Sequence, residues 1–265
     1  MAASTNLGND DLLVEVINNE EDFTDAYHCL AQAFGAQIHD AIWTAFNPGW
    51  DTPSGAAAGA ARLARRWKNT TYDKQGNPNA VFLKATLPDP EGAHAHSSGG
   101  SNSPGRVTAG FAIWVQISAV EGRGDTSLGA ALDAAATKAL YPDNETEQRF
   151  LQQMFRSLFK SRVAFVKDQA DAAQPAVMTL DLCATHPGFQ RRGVASALVR
   201  WGLEEARRRG MAYATTEASS MGRHVYARLG FRPQGSDIVY EVDEEFRDRE
   251  KPSNLFMVNS LGADE

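Results

Sequence analysis

The stretch of this 265-residue chain best equipped for chemistry is residues 179–196, in which an apolar run ends in Cys183-Ala184-Thr185-His186-Pro187 and continues as Gln190-Arg191-Arg192-Gly193-Val194-Ala195-Ser196 into a helical pattern. A strand that turns through glycine into a helix makes an anion cradle. The first backbone N–H groups of a helix have no intrahelical partner and lie at its positive end, so a diphosphate placed there meets both needs. Arg191 and Arg192 add charge, unless they simply sit in a solvated turn, and Gly193 removes a side chain from the approach. Neither a Walker motif nor G-x-G-x-x-G follows any strand pattern, which withdraws support from nucleoside triphosphate and dinucleotide chemistry. Cys183 lacks a placed His-Asp pair for nucleophilic work, and His186 and His224 read as structural. His94 and His96, with no cysteine or carboxylate cluster near them, argue for no metal site.

The elements that must hold this segment are legible as alternating patterns. Residues 12–17 alternate like a half-buried strand, and Asp22 is placed to cap a helix carrying Phe23 through Phe34. Ile38, Ile42, Trp43 and Phe46 form a second apolar group, and a helix covers residues 56–67. Residues 80–87 and 106–118 read as a hairpin with an enlarged loop at 88–105. Residues 119–175 form an insertion around one long helix, 144–169, with Leu151, Met154, Phe155, Leu158, Arg162 and Phe165 at helical spacing. This stripe is expected to pack on the sheet; roofing an acceptor site or contacting another subunit are the alternatives. The remainder alternates strand 176–185, helix 190–209, strand 213–217, helix 219–229 and short strands near Phe231 and at 238–242. By period two, Asp181 is expected on the same strand face as Cys183.

Composition bounds the reading. With 43% hydrophobic and 22% charged residues the chain is an ordinary globular protein, expected to form one domain over residues 1–265. A net charge of -7 has the wrong sign for gripping nucleic acid. Two cysteines are too few for a disulfide framework, and no leader or membrane-spanning pattern is visible, so a cytoplasmic setting is expected.

The run Gln190-Arg191-Arg192-Gly193-Val194-Ala195 resembles the Q/R-x-x-G-x-G/A hallmark of the GNAT superfamily of acyl-CoA-dependent N-acetyltransferases. Cys183-Ala184-Thr185 ahead of Pro187 and the Tyr226, Gly230, Phe231 spacing agree with that family's strand end and its Y-x-x-x-G-F. The specific resemblance spans residues 177–231; residues 12–118 are compatible in topology. It implies an α/β fold with a mixed, twisted central sheet splayed between its fourth and fifth strands, and helices on both faces. Acetyl-CoA, the co-substrate, would lie in the splay, held mostly by backbone at Cys183, Ala184, Thr185 and Gln190 through Ser196.

The resemblance further implies direct attack of a neutral amine on the thioester. Tyr226 corresponds to a tyrosine that protonates the leaving thiolate in many relatives. Asp181 is the first candidate for general base or ammonium anchor, against an acid hydrogen-bonded inside the sheet. Glu217 stands where many relatives carry Asn, and could bind the amine or relay its proton, or cap the next helix. Phe34, Ile42, Trp43, Phe46 and Trp114 are candidates to line the acceptor site, all equally able to be core. The function expected is transfer of an acetyl group to a primary amine of a small molecule, without metal, nucleic acid or membrane; a homodimer is left open. The alternatives are a protein-lysine acetyltransferase and a catalytically silent coenzyme A-binding module.

Overall fold

The computed structural model describes residues 11–89, 105–127 and 134–262. The enlarged loop with His94 and His96 falls almost wholly outside them. Strand β1 (Leu13–Val16) leads into helix α1 (Asp22–Leu30) and a π-helical segment (Ala31–Gln37), followed by α2 (Ala41–Phe46) and α3 (Pro53–Lys68). Strands β2 (Ala80–Pro88) and β3 (Arg106–Ile117) form the hairpin; α4 (Ala134–Leu140) and α5 (Glu145–Asp168) make up the helical insertion. The chain then runs through β4 (Val177–Thr185), α6 (Val194–Arg208), β5 (Tyr213–Ser219), α7 (Arg223–Arg228), β6 (Arg232–Asp237) and β7 (Asn254–Ser260).

All seven strands join one sheet in the order β1-β2-β3-β4-β5-β7-β6. Every neighbouring pair is antiparallel except β4 and β5, whose ladder stops after Met178↔Ala214, Thr179↔Thr215 and Leu180↔Thr216. At the last rung the Thr216 hydroxyl donates to the Leu180 carbonyl at 3.0 Å, taking up an acceptor that a continued ladder would otherwise use. Beyond it the two strands part. The sheet is thus mixed and open at its centre, with α6 packed on one face and α1 and α3 on the other. Among the described residues no helix is long and apolar enough to cross a membrane.

Three expectations are corrected. Asp22 does not cap α1; it is the first helical residue after Glu21, and it is buried with its Oδ1 2.8 Å from Lys84 Nζ. The helix expected from Gln190 begins at Val194, because residues 187–189 form a 3-10 turn and both Arg191 and Gly193 adopt positive φ, of 63° and 82°. Residues 238–242 are no strand: Ile238, Tyr240 and Val242 pack in a cluster with Phe150, Met154 and Leu158 of α5. The strand at that end of the sheet is instead β7, an almost wholly buried run inserted between β5 and β6, whose both-faced burial removes the alternation that marks an exposed strand.

Candidate active site

Two cavities open where β4 and β5 part. The first, about 550 Å³, is lined by Cys183, Ala184, Thr185, Gln190, Arg191 and Gly193 to Ser196, with Ser219, Met221 and Tyr226 across from them. Its floor is the edge of β4 left unpaired after Leu180, and its end is the start of α6. No side chain caps that helix, and a Cβ built on Gly193 meets nothing within 4 Å. An acyl-CoA diphosphate and pantetheine arm fit this surface: free amide donors and positive charge at one end, open strand edge along the other. The π-helical segment contributes too, because its extra residue per turn carries Gln37 to Gln190, where the two amides exchange hydrogen bonds of 3.3 and 2.8 Å. Arg192 turns away, its guanidinium 5.3 Å from the Phe189 ring centroid, and does not line the cleft.

The second cavity, about 310 Å³, is bordered by α2, α3 and α5 along β4 and β5. Phe34, Ile42, Trp43 and Phe46 line it, joined by Phe155, Leu158 and Phe159 from the insertion, so α5 walls this cavity as well as packing on the sheet. Trp114 does not line it. That ring is fully buried on the α6 side, where Gly202 leaves the room it occupies and its Nε1 donates to the Leu198 carbonyl at 3.2 Å.

Phe34, Cys183, Ser219 and Tyr226 line both cavities and so mark their junction. Tyr226 is hydrogen-bonded to the Cys183 thiol, and burial holds its phenol well above the ordinary tyrosine value, so it keeps its proton at neutral pH. Burial likewise pushes the Cys183 thiol up to about 12, which leaves almost no thiolate for a nucleophilic role.

The two carboxylates sit just past the last rung of the ladder, Asp181 after Leu180 and Glu217 after Thr216. Between them lies Arg162 of α5, buried, with Nη1 2.8 Å from Asp181 Oδ1 and Nε 3.0 Å from Glu217 Oε1, and Nη2 bonded to Glu217 Oε2. Its guanidinium also lies 4.1 Å from the Phe159 ring centroid. Arg66 of α3 reaches Asp181 Oδ2 at 2.8 Å. Although burial alone would raise it, the Asp181 carboxyl is held well below the usual range by these two guanidiniums, which makes it a poor proton acceptor. Glu217 moves the other way: burial outweighs Arg162 and lifts its proton affinity.

Period-two reasoning fails at Asp181 for a local cause. The β3–β4 register passes from Trp114↔Leu180 to Ile113↔Leu182, so Asp181 is the extra residue of a bulge. Leu180 packs on the α6 side and Leu182 on the α1 and α3 side; Cys183 again faces α6, while Asp181 meets α3 and α5. Sequence reading also missed Arg66 and Arg162 as site residues. Arg162 did carry a signal, a charge inside an otherwise apolar helical stripe, which calls for a buried acid. Among the described residues no cluster of three His, Cys, Asp or Glu is placed to hold a metal.

Comparison with known proteins agrees with this geometry. Residues 161–231 match the model of the acetyltransferase (GNAT) family. The fold is similar to arylalkylamine N-acetyltransferase 2 from Aedes aegypti, at 18% identity and TM-score 0.55, with 94% of this chain and 99% of that one covered. It is also similar to a polyamine N-acetyltransferase from Drosophila melanogaster that forms N-acetylagmatine, at 11% identity and TM-score 0.58, covering 94% and 100%. No curated protein sequence matches the chain.

Proposed function

We propose that this chain is a GNAT-type enzyme that transfers an acetyl group from acetyl-CoA to a primary amine on a small molecule, a reading supported by the match of residues 161–231 to the family model and by the similarity of the fold. The observation that carries this reading is the meeting of the two cavities at Tyr226 and Cys183. One is a cleft ending in a helix N-terminus, and the other is smaller and lined mostly by apolar surface. Its volume of about 310 Å³, with α5 of the insertion along one wall, is the size of a small acceptor and favours one over a protein tail.

Bound acetyl-CoA supplies an activated acyl group and a thiolate leaving group. The N–H groups of Val194, Ala195 and Ser196, with Arg191, hold its diphosphate, and the open edge of β4 at Cys183, Ala184 and Thr185 hydrogen-bonds its amide-bearing arm. Tyr226 keeps a proton on Oη beside the junction, where it can be given to sulfur. Glu217, the carboxylate with the higher proton affinity, takes the proton that the attacking amine sheds. Asp181 stays anionic and fixes Arg66 and Arg162. Phe34, Trp43 and Phe46 hold the apolar body of the acceptor and keep water from it.

Release of free thiol from acetyl-CoA, measured across polyamines, amino acids, aminoglycosides, arylamines and histone peptides, tests the proposal. Turnover with at least one small amine is the expected result. Turnover confined to histone peptides would replace it with protein-lysine acetylation, and tight coenzyme A binding without turnover would leave a silent binding module.

A further inference from the structure

The acceptor cavity carries three guanidiniums, and they are not equivalent. Arg162 and Arg66 are matched by Glu217 and Asp181. Arg62, one helical turn before Arg66 on α3, is half-buried and among the described residues has no such match: its Nη2 donates to the neutral Asn47 Oδ1 at 2.8 Å. Asn47 is itself fixed, its Nδ2 donating to the Trp43 carbonyl at 2.8 Å. Among the described residues the buried Arg62 Nε has no hydrogen-bond partner, and the same holds for the hydroxyl of Tyr27, a residue only 3% exposed. Both residues line the cavity, and each is close enough to shift the other's proton affinity. Asp40, the third acid on the wall, spends its Oδ1 on the backbone of Ile42 and Trp43 at 3.1 and 2.8 Å.

A buried Nε–H on a half-buried guanidinium and a buried phenol hydroxyl on the same cavity wall, each with its donor left over, are costly unless an anion or a strong acceptor meets them. Carboxylate oxygens meet that need, since each accepts a charge-assisted or hydroxyl hydrogen bond. We propose that the acceptor carries a carboxylate at the end of an apolar or aromatic body, bound by Arg62 and Tyr27 at the end of the cavity away from the transferring sulfur. The inference rests on the acceptor reading of this cavity and narrows it to amino-acid-like amines.

The test is binding, followed by calorimetry on the coenzyme A-saturated protein, of 3-phenylpropionate against the neutral 3-phenylpropanol. The carboxylate is expected to bind at least tenfold more tightly, and Arg62→Gln to erase that difference while leaving phenylpropanol unchanged. Tyr27→Phe, which keeps the ring and its packing, is expected to narrow it. Equal affinity for the two probes, or a preference that survives Arg62→Gln, overturns the proposal. An Arg62→Gln protein that no longer folds is replaced by Arg62→Met, and the Tyr27→Phe comparison stands by itself. Thiol release is read separately: absence of turnover with every amine sinks the acetyl-transfer reading, whereas the calorimetric preference judges the carboxylate site alone.

Discussion

The cleft at the start of α6 and the cavity under α5 share four side chains but are built by different means. The cleft is made of backbone: an open strand edge after Leu180, the uncapped start of α6, and a turn in which Arg191 and Gly193 take positive φ. The second cavity is made of side chains from α2 and α3 and from the distant α5, brought over the splay and joined by the Arg66–Asp181–Arg162–Glu217 chain of ion pairs. A backbone site tolerates changes of side chain as long as the turn survives. A side-chain site changes its ligand with a few substitutions, which leaves one cofactor surface able to serve many acceptors.

The comparison breaks most visibly at the cleft. Gly193→Asp puts a side chain and a negative charge where the diphosphate is to lie, at a position whose φ of 82° already disfavours any L-residue. Coenzyme A binding by calorimetry is expected to disappear in a protein that still folds; unchanged affinity would undo the cradle.

At the junction, Tyr226→Phe keeps the ring and removes the hydroxyl. It is expected to lower kcat by roughly 10²-fold with a small shift in Tm. Near-normal turnover with a loss of about 1 kcal/mol of stability would make Tyr226 a packing residue.

On this second cavity, Arg162→Met leaves the buried Glu217 without its guanidinium and Asp181 with Arg66 alone, and is expected to cost about 3–5 kcal/mol in denaturant unfolding. The two acids then separate by pH. Asp181, depressed by its arginines, contributes stability that is complete above its unfolded value and lost as pH falls toward its folded one. Glu217, raised by burial, contributes stability below its unfolded value that is lost as pH rises through its folded one. Asp181→Asn should therefore flatten the acid limb of Tm against pH, and Glu217→Gln should remove the decline on its upper side. Identical profiles for both variants would contradict the opposite shifts. The smallest effect is expected at the cavity wall, where Phe46→Ala raises KM for the amine by roughly tenfold and leaves coenzyme A affinity alone.

The sequence by itself determined the strand-turn-helix at residues 179–196 and the order of most elements, because these are local: apolar periodicity, a proline turn and a glycine act within one or two turns of chain. It went astray at Asp22, Asp181 and β7, where a buried lysine, a bulge and a doubly buried strand override local pattern. Only the tertiary structure decided that Trp114 is core, that Arg66 and Arg162 belong to the site, and that Arg62 and Tyr27 hold unmatched donors. Arg162 lies 19 residues from Asp181 and 55 from Glu217. Whether a charge is matched depends on which groups folding brings within about 3 Å, a property of packing between distant segments that no window of sequence contains.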